Sequence, residues 1–166
     1  ENYVIMLPRR GTYVANISIR DINEVFEIRT TLDALASGLA AERITEEEVE
    51  QLERLLVSIG ENIETRNMKK VVEDDMEFHD ILYKASRNQR LVGIISNLRE
   101  QMTRFRSMSM SYPGRLKKTL EEHSRLVEAI AQRDVELAQK LAVEHMENSE
   151  QTLLIDMEAI HQARKE

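Results

Sequence analysis

The chain has 166 residues, the size of one ordinary domain, and it contains no cysteine. The lack of thiols excludes a disulfide framework, a cysteine zinc site and a thiol nucleophile. The formal net charge is −7, from 23 basic and 30 acidic residues, which argues against a chain that binds nucleic acid or an anionic membrane with its whole surface. No apolar run is long enough to cross a bilayer, and the first residues lack the order of a signal peptide, so we expect a soluble cytoplasmic protein.

Residues 1–15 differ in composition from the rest of the chain. Two β-favouring runs, at residues 3–7 and 12–15, flank a turn that contains Arg9 and Arg10, which predicts a short β-hairpin with a basic tip. Two strands alone are only marginally stable in water. We therefore expect the hairpin to belong to a domain of which most is missing from this chain.

Strong helix formers dominate the sequence after residue 18, and their apolar residues recur with the helical period. Thr45 with Glu48 predicts a capping box at one helix start, and Asp134 predicts the cap of another. The connections are short, which favours antiparallel neighbours. The sequence therefore predicts an all-α fold, an antiparallel bundle of six helices preceded by the hairpin. We place these helices at about 18–43, 45–60, 68–85, 91–110, 116–132 and 134–161.

Four polar residues fall on helix faces that the helical period assigns to the core: Asp75, His79, His123 and His145. Asp75 and His79 are spaced i, i+4, so they lie on one face of one helix. His123 and His145 lie ten residues before and twelve residues after the turn near Arg133, or ~15 and ~18 Å along two adjacent helices. Because buried polar groups need partners, we expect the four side chains to converge.

Three imidazoles and one carboxylate inside a bundle suit Zn²⁺, Ni²⁺, Mn²⁺ or Fe²⁺, and the residues do not choose among these metals. An ion that prefers five or six ligands would keep positions open for water or for a carboxylate. Arg29 lies on the apolar stripe of the first helix and could hold the other end of a small anion through a bidentate contact. Arg29 could instead pair with Asp33 or another neighbouring acid.

Two other functions are compatible with these residues. Each histidine could be an ordinary hydrogen-bonded core residue, in a helical dimerisation module without a ligand. A metal-dependent, hydrolase-like helical enzyme is the other alternative, because an open metal site can activate water. His79-Asp80 superficially resembles the dipeptide of HD phosphohydrolases, but no histidine precedes it in the chain. The three histidines on core faces lack the Glu-x-x-His spacing, because Met76, Leu120 and Ala142 precede them by three residues. His-Glu-x-x-His is also missing and no general base remains, so we expect no enzymatic activity.

Five motifs, in this order and with this spacing, resemble the FadR subfamily of GntR-type bacterial transcription regulators over essentially the whole chain. They are Pro8 to Val14, Glu24 to Asp33, Asp75 to His79, Ala85 to Leu91, and Glu122-His123 followed by His145. Six helices rather than seven are similar to the VanR-like branch of the subfamily. The resemblance implies that residues 1–15 are the wing hairpin of a truncated winged helix-turn-helix domain. Residues 16–166 would be the effector-binding and dimerisation domain.

The resemblance also implies a site and partners. Asp75, His79, His123 and His145 match the metal ligands of the family, whose metal holds a carboxylate effector, and Arg29 matches an arginine near that effector. The implied function is the effector-sensing domain of a homodimeric regulator, in which a small organic acid modulates DNA binding. Operator DNA would be bound only through the mostly missing N-terminal domain, where Arg9 and Arg10 could contact the backbone or minor groove. One departure is position 33, which usually holds Glu and here holds Asp.

Overall fold

The computed structural model describes the backbone of residues 4–7, 11–14, 19–111 and 114–163, and the side chains of residues 19–100 and 114–155. Within these ranges the chain forms two strands and six α-helices, so the predicted all-α fold of six helices is confirmed. The elements are β1 (Val4–Leu7), β2 (Gly11–Val14), α1 (Ile19–Arg43), α2 (Glu46–Glu64), α3 (Met68–Ala85), α4 (Gln89–Ser111), α5 (Arg115–Ala131) and α6 (Val135–Ala163).

Strands β1 and β2 form one antiparallel pair, with Val4 opposite Val14 and Leu7 opposite Gly11. Arg9 and Arg10, which the sequence places at the tip, lie outside the described residues. That this pair of strands is the wing of a DNA-binding domain stays a prediction, as does the domain boundary at residue 15.

The helix boundaries follow from local capping chemistry. At the start of α2 the Thr45 hydroxyl accepts from the backbone N–H of Glu48 at 3.2 Å, and the Glu48 carboxylate accepts from the backbone N–H of Thr45 at 3.0 Å. This reciprocal pair is the predicted capping box. Asp134 caps α6 by accepting from the backbone N–H of Leu137 at 3.0 Å, as predicted. Helix α2 continues past Gly60 to Glu64, further than its sequence pattern indicates.

Three of the turns between helices have the same construction. Arg66, Arg87 and Arg133 adopt left-handed φ angles of 57°, 55° and 60°, each two residues after the last residue of α2, α3 and α5. An Asn or Asp follows each arginine, and its side chain accepts a hydrogen bond from the backbone of the next helix. One residue therefore ends a helix and the next residue starts another, which keeps these connections short.

The core lies between α1 and the other helices, and its largest cluster includes Phe78, Leu82, Leu126 and Ile130. Helix α1 packs along α6 at close range, and a Cβ added at Gly38 would lie 2.6 Å from the side-chain nitrogen of Gln139. No helix in the described part of the chain is both long enough and apolar enough to cross a membrane.

The capping box predicts a measurable contribution to stability. Thr45→Ala removes the hydroxyl that accepts from Glu48, so we expect the free energy of unfolding to fall by about 1 kcal/mol. Thr45→Ser keeps the hydroxyl and is the matched control. Urea denaturation of the three proteins measures the difference. Equal midpoints for Thr45→Ala and the wild type would contradict this account of the α2 start.

Candidate metal centre

Three histidines from three helices meet in the interior of the bundle. His79 comes from α3, His123 from α5 and His145 from α6, and one ligand nitrogen of each lies within 4.8 Å of the other two. The ring centroids are 5.0 Å apart for His79 and His123, and 4.7 Å apart for His123 and His145. His123 is fully buried, His79 is 5% exposed and the side chain of His145 is 12% exposed. The structure thus brings together the three histidines that the helical period selects.

Asp75 lies beside this triad. One of its carboxylate oxygens is 3.8 Å from Nε2 of His79 and 3.9 Å from Nδ1 of His123. Asp75 is itself only 4% exposed, and it precedes His79 by one helical turn. The carboxylate therefore borders the space between two of the three rings.

The donor set suits a divalent transition metal. Neutral imidazole nitrogens are good ligands for Zn²⁺, Ni²⁺ and Fe²⁺, and a carboxylate oxygen commonly completes such a set. One ligand nitrogen of each imidazole lies within 4.8 Å of the other two, so the three nitrogens are close enough together to approach one ion. His79, His123 and His145 could hold the metal, and Asp75 could supply the oxygen.

Phe78 fixes the position of the most buried ring. Its ring stacks on His123 with centroids 4.3 Å apart and planes inclined by 11°, and it meets His79 edge-on at 5.4 Å. Phe78 is fully buried within the main core cluster. The hydrophobic core thereby restrains two of the three imidazoles directly.

A buried polar group adjoins His79 on the side of α1. The Tyr83 hydroxyl donates to the Asp33 carboxylate and lies 3.4 Å from Nδ1 of His79. Arg29 donates to both oxygens of Asp33, at 3.2 and 3.1 Å, and to the Tyr83 oxygen at 3.2 Å. The structure thus shows the pairing with Asp33 that the sequence left open for Arg29. A role for Arg29 in effector binding stays a prediction.

The charges in this group reinforce one another. Burial alone would lower the pKa of Arg29, but the Asp33 carboxylate and its hydrogen bonds raise that pKa above its ordinary value. Burial and the Asp33 charge both raise the pKa of Tyr83. The arginine therefore stays charged and the phenol stays protonated, so the phenol can donate to Asp33.

A second polar network holds His145. Nδ1 of His145 is 2.7 Å from one oxygen of Glu122, and both Glu122 oxygens accept from Arg115 at 2.9 Å. Burial would raise the pKa of Glu122, but the hydrogen bonds from His145 and Arg115 lower it overall. The sequence analysis gave Glu122 only as part of a motif and missed the role of both residues. Their spacing of seven on one helix, with opposite charges on the same face, is the signal that could have found them.

Sequence reasoning also missed the role of Asp74. This carboxylate is 1% exposed and accepts from Ser58 at 2.7 Å, with the ammonium of Lys70 at 2.8 Å. It therefore ties α3 to α2 from a face of the helix that differs from the face of Asp75. We assign it to packing of the bundle.

Comparison with known proteins identifies the domain. A family model described as the FCD domain matches residues 24–148. The chain belongs to the FCD domain family. The predicted resemblance to GntR-type regulators is confirmed at the level of this domain family. The FadR subfamily and the VanR-like branch stay predictions.

Curated relatives of this FCD domain are named as transcription regulators. The HTH-type transcriptional repressor RspR of Escherichia coli K12 is 28% identical over 148 residues, which cover 89% of this chain and 65% of RspR. The HTH-type transcriptional regulator LutR of Bacillus subtilis is 28% identical over 138 residues, which cover 80% of this chain and 62% of LutR. The chain thus spans less than two thirds of the length of either relative.

Two solved structures show the same fold. Escherichia coli McbR/YncC superposes with a TM-score of 0.80 at 22% identity, over 95% of this chain and 78% of that chain. The metal-free FCD domain of TM0439 gives a TM-score of 0.72 at 18% identity, over 87% of this chain and 99% of that chain. At these identities the likeness shows the fold and carries no statement about ligands.

The hydrogen bond from Tyr83 to Asp33 in this FCD domain predicts that the two side chains contribute to stability as a coupled pair. Tyr83→Phe leaves a buried carboxylate without one of its donors, so we expect a loss of about 1–3 kcal/mol in the free energy of unfolding. Asp33→Asn and the double variant complete a double-mutant cycle. We expect the two losses to be non-additive by at least about 0.5 kcal/mol, because the side chains touch. Additive losses in chemical denaturation would contradict the contact.

Proposed function

We propose that this FCD domain is the effector-sensing domain of a DNA-binding transcription regulator. In this proposal Asp75, His79, His123 and His145 hold a divalent transition metal, and the metal helps to hold a small carboxylate metabolite. The observation that carries the proposal is the buried triad of imidazoles from three different helices, with ligand atoms within 4.8 Å of one another.

Burial supports binding of a metal over simple packing. A buried imidazole offers a donor and an acceptor that both need partners, so three of them at one point are costly in an apolar core. One divalent ion would satisfy one nitrogen of each ring at once. Four protein ligands would also leave one or two positions of a five- or six-coordinate ion for the effector.

The environment of Arg29 constrains how it could contribute. Its guanidinium is already bound by Asp33 and Tyr83, and the residue is only 6% exposed. In this proposal the metal is the primary anchor of the carboxylate. In this proposal Arg29 reaches the same ligand through Nη1, because its bonds to Asp33 and Tyr83 use Nε and Nη2.

The relatives support a regulator rather than an enzyme. RspR is named a transcriptional repressor and LutR a transcriptional regulator, and each is longer than the part this chain matches. We propose that the intact protein is a cytoplasmic homodimer that binds operator DNA through an N-terminal domain, with Arg9 and Arg10 in its wing. Effector coupling of about 1–3 kcal/mol, or roughly 5–150-fold in DNA affinity, would suffice for regulation.

The decisive experiment measures metal content and metal-dependent stability. Protein purified without chelator or His tag should contain about one equivalent of a transition metal per chain by mass spectrometry. His123→Ala should lose the metal, because it removes the fully buried ligand. His161→Ala is the matched control, because His161 is the one histidine of the chain that is not among the proposed ligands, and it should keep the metal. Metal at 100 times its dissociation constant should stabilise the wild type by about 2.7 kcal/mol.

Two results would contradict the proposal. Absence of metal after incubation with Zn²⁺, Ni²⁺ or Mn²⁺, together with a neutral or stabilising His123→Leu, would leave a helical module without a ligand. A loaded protein that binds none of a panel of small carboxylates, citrate among them, in calorimetric titration would remove the effector half of the proposal.

A further inference from the structure

Glu122 accepts four hydrogen bonds in the interior of the bundle. Its Oε2 atom lies 2.7 Å from Nδ1 of His145 and 2.9 Å from Arg115. Its Oε1 atom accepts from Arg115 at 2.9 Å and from the side-chain amide of Asn148 at 2.9 Å. Glu122 is 9% exposed, and within the described part of the chain its hydrogen bonds come from these three side chains of α5 and α6.

This arrangement selects one tautomer of His145. A carboxylate that accepts from a guanidinium on both oxygens is ionised, and an ionised carboxylate can only accept. The proton between Glu122 and His145 therefore belongs to Nδ1 of the imidazole. In the neutral ring, the lone pair is then on Nε2, the nitrogen that remains for a metal.

We propose that Glu122 is the positioning residue of the metal centre, which fixes His145 as the Nδ1–H tautomer and aims its Nε2 lone pair into the triad. The proposal rests on the proposed function for the metal itself. A carboxylate that accepts from the N–H of a metal-binding imidazole also makes its other nitrogen more basic, and so a stronger metal ligand. In this proposal Glu122 contacts neither the metal nor the effector, and it acts only through its hydrogen bond with His145.

Arg115 keeps Glu122 in place. It is the first residue of α5, directly after Gly114 with its left-handed φ of 81°, and it is 4% exposed. Its guanidinium also donates to the Ser149 hydroxyl at 2.8 Å, and that hydroxyl donates to the backbone oxygen of His145 at 2.9 Å. The ring of His145 and its own backbone are thus both connected to one arginine, so the ring cannot turn without breaking this network.

The experiment has two readouts, of which only one needs metal. Long-range ¹H–¹⁵N NMR of the metal-free protein reports which imidazole nitrogen of His145 carries the proton, at a pH where the ring is neutral. Competition with a chromogenic chelator reports the affinity for Zn²⁺. The variants are Glu122→Gln, the double variant Arg115→Met with Glu122→Leu, and Glu121→Gln as the matched control on the exposed side of α5. The double variant removes both members of the ion pair, because a single substitution would leave one buried charge without its partner.

The expected result is an Nδ1–H tautomer of His145 in the wild type and in Glu121→Gln. Both Glu122 variants should lose that preference and bind Zn²⁺ about 10–100-fold more weakly. A merely structural ion pair would change stability without changing the tautomer.

Either of two results overturns the proposal: an Nε2–H tautomer of His145 in the wild type, or wild-type Zn²⁺ affinity in both Glu122 variants. A wild type with the Nδ1–H tautomer but no affinity for Zn²⁺, Ni²⁺ or Mn²⁺ overturns the metal function itself. The metal-free tautomer therefore distinguishes the two failures.

Discussion

Three imidazole rings share one buried space, and polar rings are tolerated in a helical core only where their nitrogens have partners. A different neighbouring side chain restrains each of the three rings. Tyr83 adjoins His79, Phe78 stacks on His123, and Glu122 binds His145. Because the rings come from α3, α5 and α6, the triad forms only when these three helices are in register. The geometry of the site therefore depends on how these three helices pack against one another.

Buried charges occur as matched pairs around the triad. Arg29 pairs with Asp33 and Arg115 pairs with Glu122, and none of the four side chains is more than 9% exposed. Buried ion pairs of this kind contribute little net stability compared with apolar residues of the same size. The positions of the two pairs suggest another role. Glu122 contacts His145 directly, and Asp33 is connected to His79 through Tyr83. The pairs hold the rings in fixed orientations without adding net charge.

The sequence was sufficient to predict the six helices and the polar residues on their core faces. Helix starts could be located because Thr45 and Asp134 leave a capping signature in a few adjacent residues. His123 and His145 could be related to each other because similar distances from one turn place residues at similar heights on neighbouring helices.

The networks around the histidines could not be found in the same way. The spacing of seven between Arg115 and Glu122 indicates a shared helix face. It does not indicate that Glu122 also binds His145 on another helix. Tyr83 follows His79 by one turn, yet its partner Asp33 lies on another helix. Such contacts depend on side-chain geometry between helices rather than on local sequence. The pairing of Arg29 with Asp33, one turn apart, is the exception, because that spacing was visible as one of two alternatives.

The central claim is that three imidazoles and a carboxylate surround one metal ion. X-ray absorption spectroscopy of the Zn²⁺-loaded protein measures the ligands directly. The account predicts nitrogen or oxygen neighbours at about 2.0–2.1 Å with the multiple-scattering pattern of three imidazoles. Replacing His145 by Ala should lower the fitted number of imidazoles by one. A first shell with one imidazole or none, unchanged by that substitution, would show that the metal binds elsewhere and would contradict the account.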